Sequence, residues 1–422
     1  MTAVTRTASS HGRHPLIVHS HLRWDFVWQR PQQILSRLGR SRHVLYVEEP
    51  VFLDDVATHT LDVTNVGGRV HRVVPRLPVA LRASYDESAE LVRSLVSTLI
   101  GEGGRLAGAF DDGVQWFYTP MPAPVMLGAF GERGVVYDCM DELAQFRFAP
   151  PELTSRERLL MTRADVVFTG GRKLFESKSR HHPNVHFFGC GVDAAHFARA
   201  RHVDTVVAPE LHGLAAPILG YFGVVDERLD YELIDRLAER YAHGSVVFVG
   251  PFAKVDPAEL PRRSNVHWLG QRPYAALPSY VKGFDVCLMP FALNAATEFI
   301  NPTKTLEYMA AGKPIVSTAV PDVVRNFTPI VRVARSADEF VDAVSDAVHP
   351  DPGRVEAGIA RAREATWESI VMSMDDLIAR AVRSSRDEAV GSATISSRRH
   401  LTSVSGGPAR SERRGDGTAN VA

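Results

Sequence analysis

Lys304 and Glu307 stand three positions apart in the segment 291–314, FALNAATEFINPTKTLEYMAAGKP. That spacing puts both side chains on one face of a helix. Asn301 is a good N-cap, Pro302 suits the first helical position, and Gly312 with Pro314 stops the run, so the sequence predicts a helix over 302–311. A buried strand, Val286–Met289, precedes it. The helix would then present its N-terminus at the C-terminal edge of a parallel strand, where open α/β sheets bind ligands. Free backbone N–H groups there favour a phosphate, and Lys304 in the first turn adds a point charge. Glu307 is a poor phosphate ligand but a good acceptor for ribose hydroxyls. The plain alternative is an ordinary helix with a surface Lys/Glu pair.

Three further clusters carry chemistry. Arg228, in Asp226-Glu-Arg-Leu-Asp230, is a candidate phosphate-neutralising cation or a surface arginine. The run from His19 to Arg30 holds His21, Trp24, Trp28 and Arg30 in a strand-to-helix loop. Either tryptophan can stack on a sugar and Arg30 can bind phosphate; the competing reading puts both rings in the core. Asp138 and Asp141 follow the strand Val135–Tyr137. A carboxylate there can stabilise positive charge or accept a proton, or it can cap the next turn. Gly189-Cys-Gly191-Val-Asp-Ala194 matches a dinucleotide-binding turn, but it falls late in a domain rather than opening a βαβ unit.

The elements that position these groups alternate in strand and helix. Pro15–His19, a helix from Gln29 to Leu38, and His43–Val47 form one βαβ unit, and the strands Val114–Tyr118, Val135–Tyr137, Asp165–Phe168 and Val185–Phe188 extend the series. Residues 14–198 thus read as one domain. Residues 199–216 lose apolar periodicity and read as a linker. A second series then runs over 217–353, with strands Ile218–Phe222, Ser245–Val249, Val266–Leu269, Val286–Met289, Pro314–Ser317 and Ile330–Val333. Residues 354–383 read as a C-terminal helical region. Residues 1–13 and the Ser/Arg/Gly-rich 384–422 read as disordered ends.

The whole chain has 422 residues, 45% hydrophobic and 23% charged, with a net charge of −1. Such composition excludes global disorder and collagen, and the charge calls for no nucleic acid partner. Only six of the 48 basic residues are lysines, which singles out Lys304. Three scattered cysteines show no metal spacing and read as free thiols of a reducing compartment. No signal peptide or membrane span is legible, so a cytoplasmic protein is expected, with peripheral contact at the inner face of a membrane left open.

The ending LEYMAAGKPIVST resembles the C-terminal domain of family-four glycosyltransferases. HSHLRWDFVWQRPQQILSRL, HVLYVEEP, VVYDCMDELAQF, ADVVFTGGRKLFE, GCGVDAAHF and GYFGVVDERLDYELI follow the same order in a bacterial branch that builds cell-surface polysaccharide, teichuronic acid included. The resemblance covers residues 15–380. It implies an α/β GT-B fold: two Rossmann-like domains facing across a cleft. It implies transfer of a sugar from a nucleotide-sugar donor to a glycan or lipid-linked acceptor, with retention and without a catalytic metal or other cofactor. Lys304, Arg228 and Asp141 become the catalytic candidates. Glu307, Asn301, Pro302, Thr303 and Glu298 become donor-binding, and His21, Trp24, Trp28, Arg30 and Asp138 line the acceptor side. The family's first carboxylate would fall at Phe299, so either a bulge restores Glu298 or Asn301–Lys304 replaces it. A nucleotide-sugar epimerase and a non-catalytic glycan- or partner-binding protein of the same fold are the alternatives.

Overall fold

The structure is a computed structural model that describes residues 13–54, 58–146, 148–295 and 297–383; the expected disordered ends 1–12 and 384–422 lie outside the described residues. Its first sheet holds β1 (Leu16–Ser20), β2 (Val44–Glu48), β3 (Val51–Leu53), β4 (Thr60–Gly67), β5 (Val70–Pro78), β6 (Val114–Phe117), β7 (Gly134–Cys139), β8 (Val166–Thr169) and β9 (Val185–Phe187). The order is β3-β5-β2-β1-β6-β7-β8-β9, parallel throughout, with β4 antiparallel on β5. The second sheet holds β10 (Ile218–Phe222), β11 (Ser245–Val249), β12 (Val266–Trp268), β13 (Val286–Met289), β14 (Ile315–Thr318) and β15 (Arg332–Ala334). It is fully parallel in the order β12-β11-β10-β13-β14-β15.

Side chains alternate across each strand, so the first sheet supports two cores. Leu16 and Val18 face the helix Arg30–Leu38 through Ile34, Leu35 and Leu38. Ile17 faces the opposite way, toward Val92 and Val96 of the helix Tyr85–Ile100. The second sheet buries both faces, which is why its strands are continuous apolar runs.

Three features differ from expectation. Residues 51–78 carry an edge sheet portion, β3 to β5, that the sequence pattern did not reveal. Its strands mix arginine, histidine and proline with apolar residues because one side is open to solvent. The segment 199–216 is polar but packed: Ala200, Ala208 and Leu211 join the core of the second domain, and Leu211 abuts Gly283. The C-terminal region is two elements with different partners. The helix Pro352–Glu364 packs on the second domain, where Gly358 lies against Met309. Residues 367–383 return as a helix to the first domain, where Trp367, Met374 and Ile378 enter its core. The chain therefore crosses between domains twice.

Candidate active site

The C-terminal ends of both sheets face a cleft of about 400 Å³. Asp141 and Met140 reach it from the end of β7, Gly170 from the end of β8, and residues 24–30 from the loop after β1. Opposite stand Lys304 and Glu307, with Asn301, Pro302 and Thr303 before them and Arg228 from the segment after β10.

The helix here runs Lys304–Ala310, shorter than expected, with Thr303 at its N-cap position. Asn301 is not the cap. Its amide donates to the Gly170 carbonyl at 3.3 Å, so it reaches across to the first domain, and its Oδ1 is buried without a partner. A tertiary contact has taken the side chain that local geometry assigned to capping. Cys190 closes the same seam: its thiol lies 3.1 Å from Asn301 O and 3.2 Å from Thr303 Oγ1.

Glu307 is 4% exposed. Burial raises its carboxyl above the ordinary range, and Lys304 opposes that rise. Lys304 Nζ lies 3.3 Å from Glu307 Oε2 in ion-pair contact, yet that oxygen has no hydrogen-bond donor. The same ammonium sits 5.1 Å from the centre of the Phe222 ring. A buried carboxylate oxygen with an unfilled acceptor site, facing a cleft, is costly unless a ligand hydroxyl fills it.

The other cations of the cleft are more firmly paired. Arg228 holds Asp226 in two-pronged contacts of 2.6 to 3.0 Å. Burial pulls its guanidinium down, but Asp226 and then Asp141 outweigh that and raise it. Burial raises the Asp141 carboxyl, with Arg228 pulling it back. Arg30 is held by Asp138 at 2.9 and 3.2 Å and donates to Phe188 O at 2.8 Å. Arg272 meets Glu210 at 3.2 Å. Of these cleft cations Lys304, held by one loose ion pair and the Phe222 ring, is the freest to meet a phosphate.

Several expectations need correction. Asp138 does not face the cleft: it is fully buried and its charge neutralises Arg30, so Arg30 lines the cleft without a spare charge. His21 lies off the cleft, and burial, with Lys254 adding to it, pushes its imidazole down to about 4. Trp24 and Trp28 both line the cleft, Trp24 5% exposed and packed edge-on against Tyr46 of the core, Trp28 37% exposed beside Tyr274. Glu298 also lies outside the cleft lining: its carboxylate pairs with Lys173 of the first domain. The stretch Asn301–Lys304 occupies the cleft wall instead.

Sequence reasoning missed Gly223, Gly250 and Tyr274, all of which line the cleft. A Cβ on Gly223 (φ +150°) would come 2.6 Å from Tyr221 Oη and 3.0 Å from Lys304 Cε, and one on Gly250 would strike Gly223 O. Glycine directly after two adjacent strands, Phe222-Gly223 and Val249-Gly250, was the available signal. Among the described residues no group of three His, Cys, Asp or Glu side chains is placed to hold a metal ion, and no helix is long and apolar enough to cross a membrane.

Residues 216–349 match the family "Glycosyl transferases group 1". A Bacillus subtilis protein named as a teichuronic acid biosynthesis glycosyltransferase, TuaH, is 26% identical over 248 residues, 54% of this chain. The match spans 61% of that relative's length. Among solved structures, the sucrose-phosphate synthase of Thermosynechococcus elongatus superposes with a TM-score of 0.65 at 16% identity, covering 88% of this chain and all of that one. HepE of Anabaena, solved with UDP and glucose, superposes with a TM-score of 0.60 at 13% identity, covering 87% and 99%. Residues 216–349 thus match the glycosyl transferases group 1 family, and the chain has the GT-B fold of these solved structures.

Proposed function

We propose that the protein transfers a sugar from a nucleotide-sugar donor to a glycan or lipid-linked acceptor in cell-surface polysaccharide biosynthesis. The observation that carries this reading is the buried Glu307 carboxylate, with its open acceptor site beside Lys304, on one wall of a cleft whose other wall presents Asp141. The family match over the second domain and the TuaH likeness support it.

Glu307 accepts the ribose hydroxyls and Lys304 meets the diphosphate. Arg228 adds positive potential where the leaving group gains charge. The acceptor hydroxyl oxygen attacks the anomeric carbon, the bond from that carbon to the phosphate oxygen breaks, and the departing phosphate takes the hydroxyl proton. Attack on the face the diphosphate leaves gives retention. Asp141 stabilises the positive charge that develops at the anomeric carbon. The step uses side-chain cations and calls for no metal. Its place is the cytoplasm, with the protein peripheral at the inner face of the membrane where a lipid-linked acceptor is reached. Incubation with UDP-, GDP- and ADP-sugars tests it: transfer supports the reading, while epimerisation of the donor or silence overturns it.

A further inference from the structure

Asp141 holds its place in the cleft wall without support at its carboxylate. Among the described residues no hydrogen-bond donor meets it, and Arg228 and Arg30 act on it only as nearby charges. Its position is therefore set by its backbone. Three groups hold that backbone. Gly170 packs against Met140, where a Cβ would come 2.8 Å from Met140 O. The Cys139 thiol points to Asp141 O at 3.5 Å. The third hold is on the next residue: Lys178 Nζ donates to both Glu142 carboxylate oxygens, at 2.9 and 3.1 Å.

Lys178 comes from the last turn of the helix Arg172–Lys178 and is 5% exposed. Its ammonium also meets Glu157 of the helix Leu153–Arg163 at 2.8 and 2.9 Å, and the Tyr137 hydroxyl donates to the same carboxylate at 2.6 Å. Burial pulls the ammonium down, but Cys139, Glu157 and Glu142 outweigh it and raise the group, so it stays charged. Buried ion pairs seldom stabilise a fold better than apolar packing of the same volume, but they can fix one geometry. The geometry fixed here is a strap. Beyond Glu142 the chain turns through Leu143–Gln145 to Phe146. The centre of that ring lies 5.0 Å from Lys254 Nζ and 6.0 Å from the Arg228 guanidinium, both in the second domain. The strap starts at Asp141, is anchored in the first domain at Glu142, and rests on the second at Phe146.

We infer that Lys178 is a positioning residue for the transfer: through Glu142 it fixes the strap that aims Asp141 into the cleft. The role of Asp141 itself rests on the transfer reading above. Without the ammonium, Glu142 and Glu157 would stand as buried like charges, a penalty relieved when Glu142 turns out to solvent. Asp141, its neighbour, moves with it. Glu142→Ala cuts the same tether yet leaves Lys178 paired with Glu157, so it strands no buried charge.

Amide hydrogen exchange on the full chain reads the tether without any reaction. The Gln145 and Phe146 amides donate to Glu142 O at 2.9 Å and Leu143 O at 3.3 Å. In Lys178→Met and Glu142→Ala both should exchange roughly tenfold faster or more, because local opening becomes easier. Turnover is read with UDP-, GDP- and ADP-sugars and a methyl hexopyranoside. Both variants should lose roughly ten- to a hundredfold in kcat, the scale on which a misplacement of about 1 Å acts, while nucleoside diphosphate Kd stays within about twofold. Glu142→Gln, which keeps an acceptor for Lys178, should recover most of that turnover. In an Asp141→Asn background neither variant should lose much more. Unchanged exchange in Glu142→Ala overturns the tether, whatever Lys178→Met does. Faster exchange with unchanged kcat, or with a loss as large in Asp141→Asn as in the wild type, overturns the positioning role. Faster exchange in a protein that transfers from no donor upholds the tether and overturns the transfer reading instead.

Discussion

Glu307→Ala isolates the donor site. In the free protein the carboxylate is 4% exposed, Lys304 lies 3.3 Å from it in ion-pair contact, and among the described residues Oε2 has no donor. A ribose hydroxyl that fills this site forms a charge-assisted hydrogen bond, so its loss should cost roughly 1–3 kcal/mol. That corresponds to about a 5- to 150-fold rise in Kd. The two residues should separate by ligand. Glu307→Ala should weaken a nucleoside and its diphosphate alike, because both carry the ribose. Lys304→Ala should weaken the diphosphate more than the nucleoside. Because Lys304 also offsets the burial of Glu307, the double variant should lose less than the sum of the two. Calorimetry with uridine, guanosine, adenosine and their diphosphates reads all of this. Unchanged affinity in both single variants would refute the assignment.

Asp141→Asn should lower turnover more than donor affinity, because its charge acts on the transition state, and steady-state kinetics beside calorimetry would show the split. Gly223→Ala places a Cβ 2.6 Å from Tyr221 Oη at φ +150°, so it should cost roughly 1–3 kcal/mol of stability and impair nucleotide binding, read by thermal unfolding and titration. Glu298→Gln, which breaks a pair with Lys173 outside the cleft, should leave nucleotide affinity within twofold, and a large loss would restore Glu298 to the donor site. The buried His19 has its imidazole pushed down to about 4 by burial, against an ordinary 6.5. Its folded pKa is depressed, so its contribution is present above about pH 6.5 and lost as pH falls toward 4, on the order of 3 kcal/mol; a denaturation midpoint that His19→Gln does not flatten over that window would contradict this. Activity should survive EDTA, and loss restored by Mn²⁺ would show a metal requirement.

The second sheet was legible because both its faces are buried. Ile218–Phe222, Ser245–Val249 and Val286–Met289 are unbroken apolar runs bounded by turn residues, and the structure places strands on them residue for residue. Residues 51–78 were opaque because the largely exposed strand Thr60–Gly67 lacks an apolar run, and Val70–Pro78, though it lies between β2 and β3, carries a mixed pattern with two internal arginines. In the cleft, Lys304 and Glu307 were legible from helical spacing, a local property. The pairing of Arg30 with Asp138, 108 positions away, was not, and it decides whether Arg30 has charge to offer. Likewise Asn301 looked like a cap because caps are local, and only the arrival of Gly170 from the other domain redirects it. Trp24 and Trp28 share one loop and one residue type. Both line the cleft, and their different exposure follows from Tyr46, which packs against the first and not the second.

Transfer itself is tested most directly by product analysis. The full chain is incubated with UDP-, GDP- and ADP-sugars and a methyl hexopyranoside acceptor, and proton NMR follows the first-formed product. The proposed transfer predicts a disaccharide glycoside and release of the nucleoside diphosphate, with the donor's own anomeric configuration as the family resemblance implies. An inverted product would contradict retention, and an unchanged mixture from every donor, or an epimerised donor with no disaccharide, would contradict transfer.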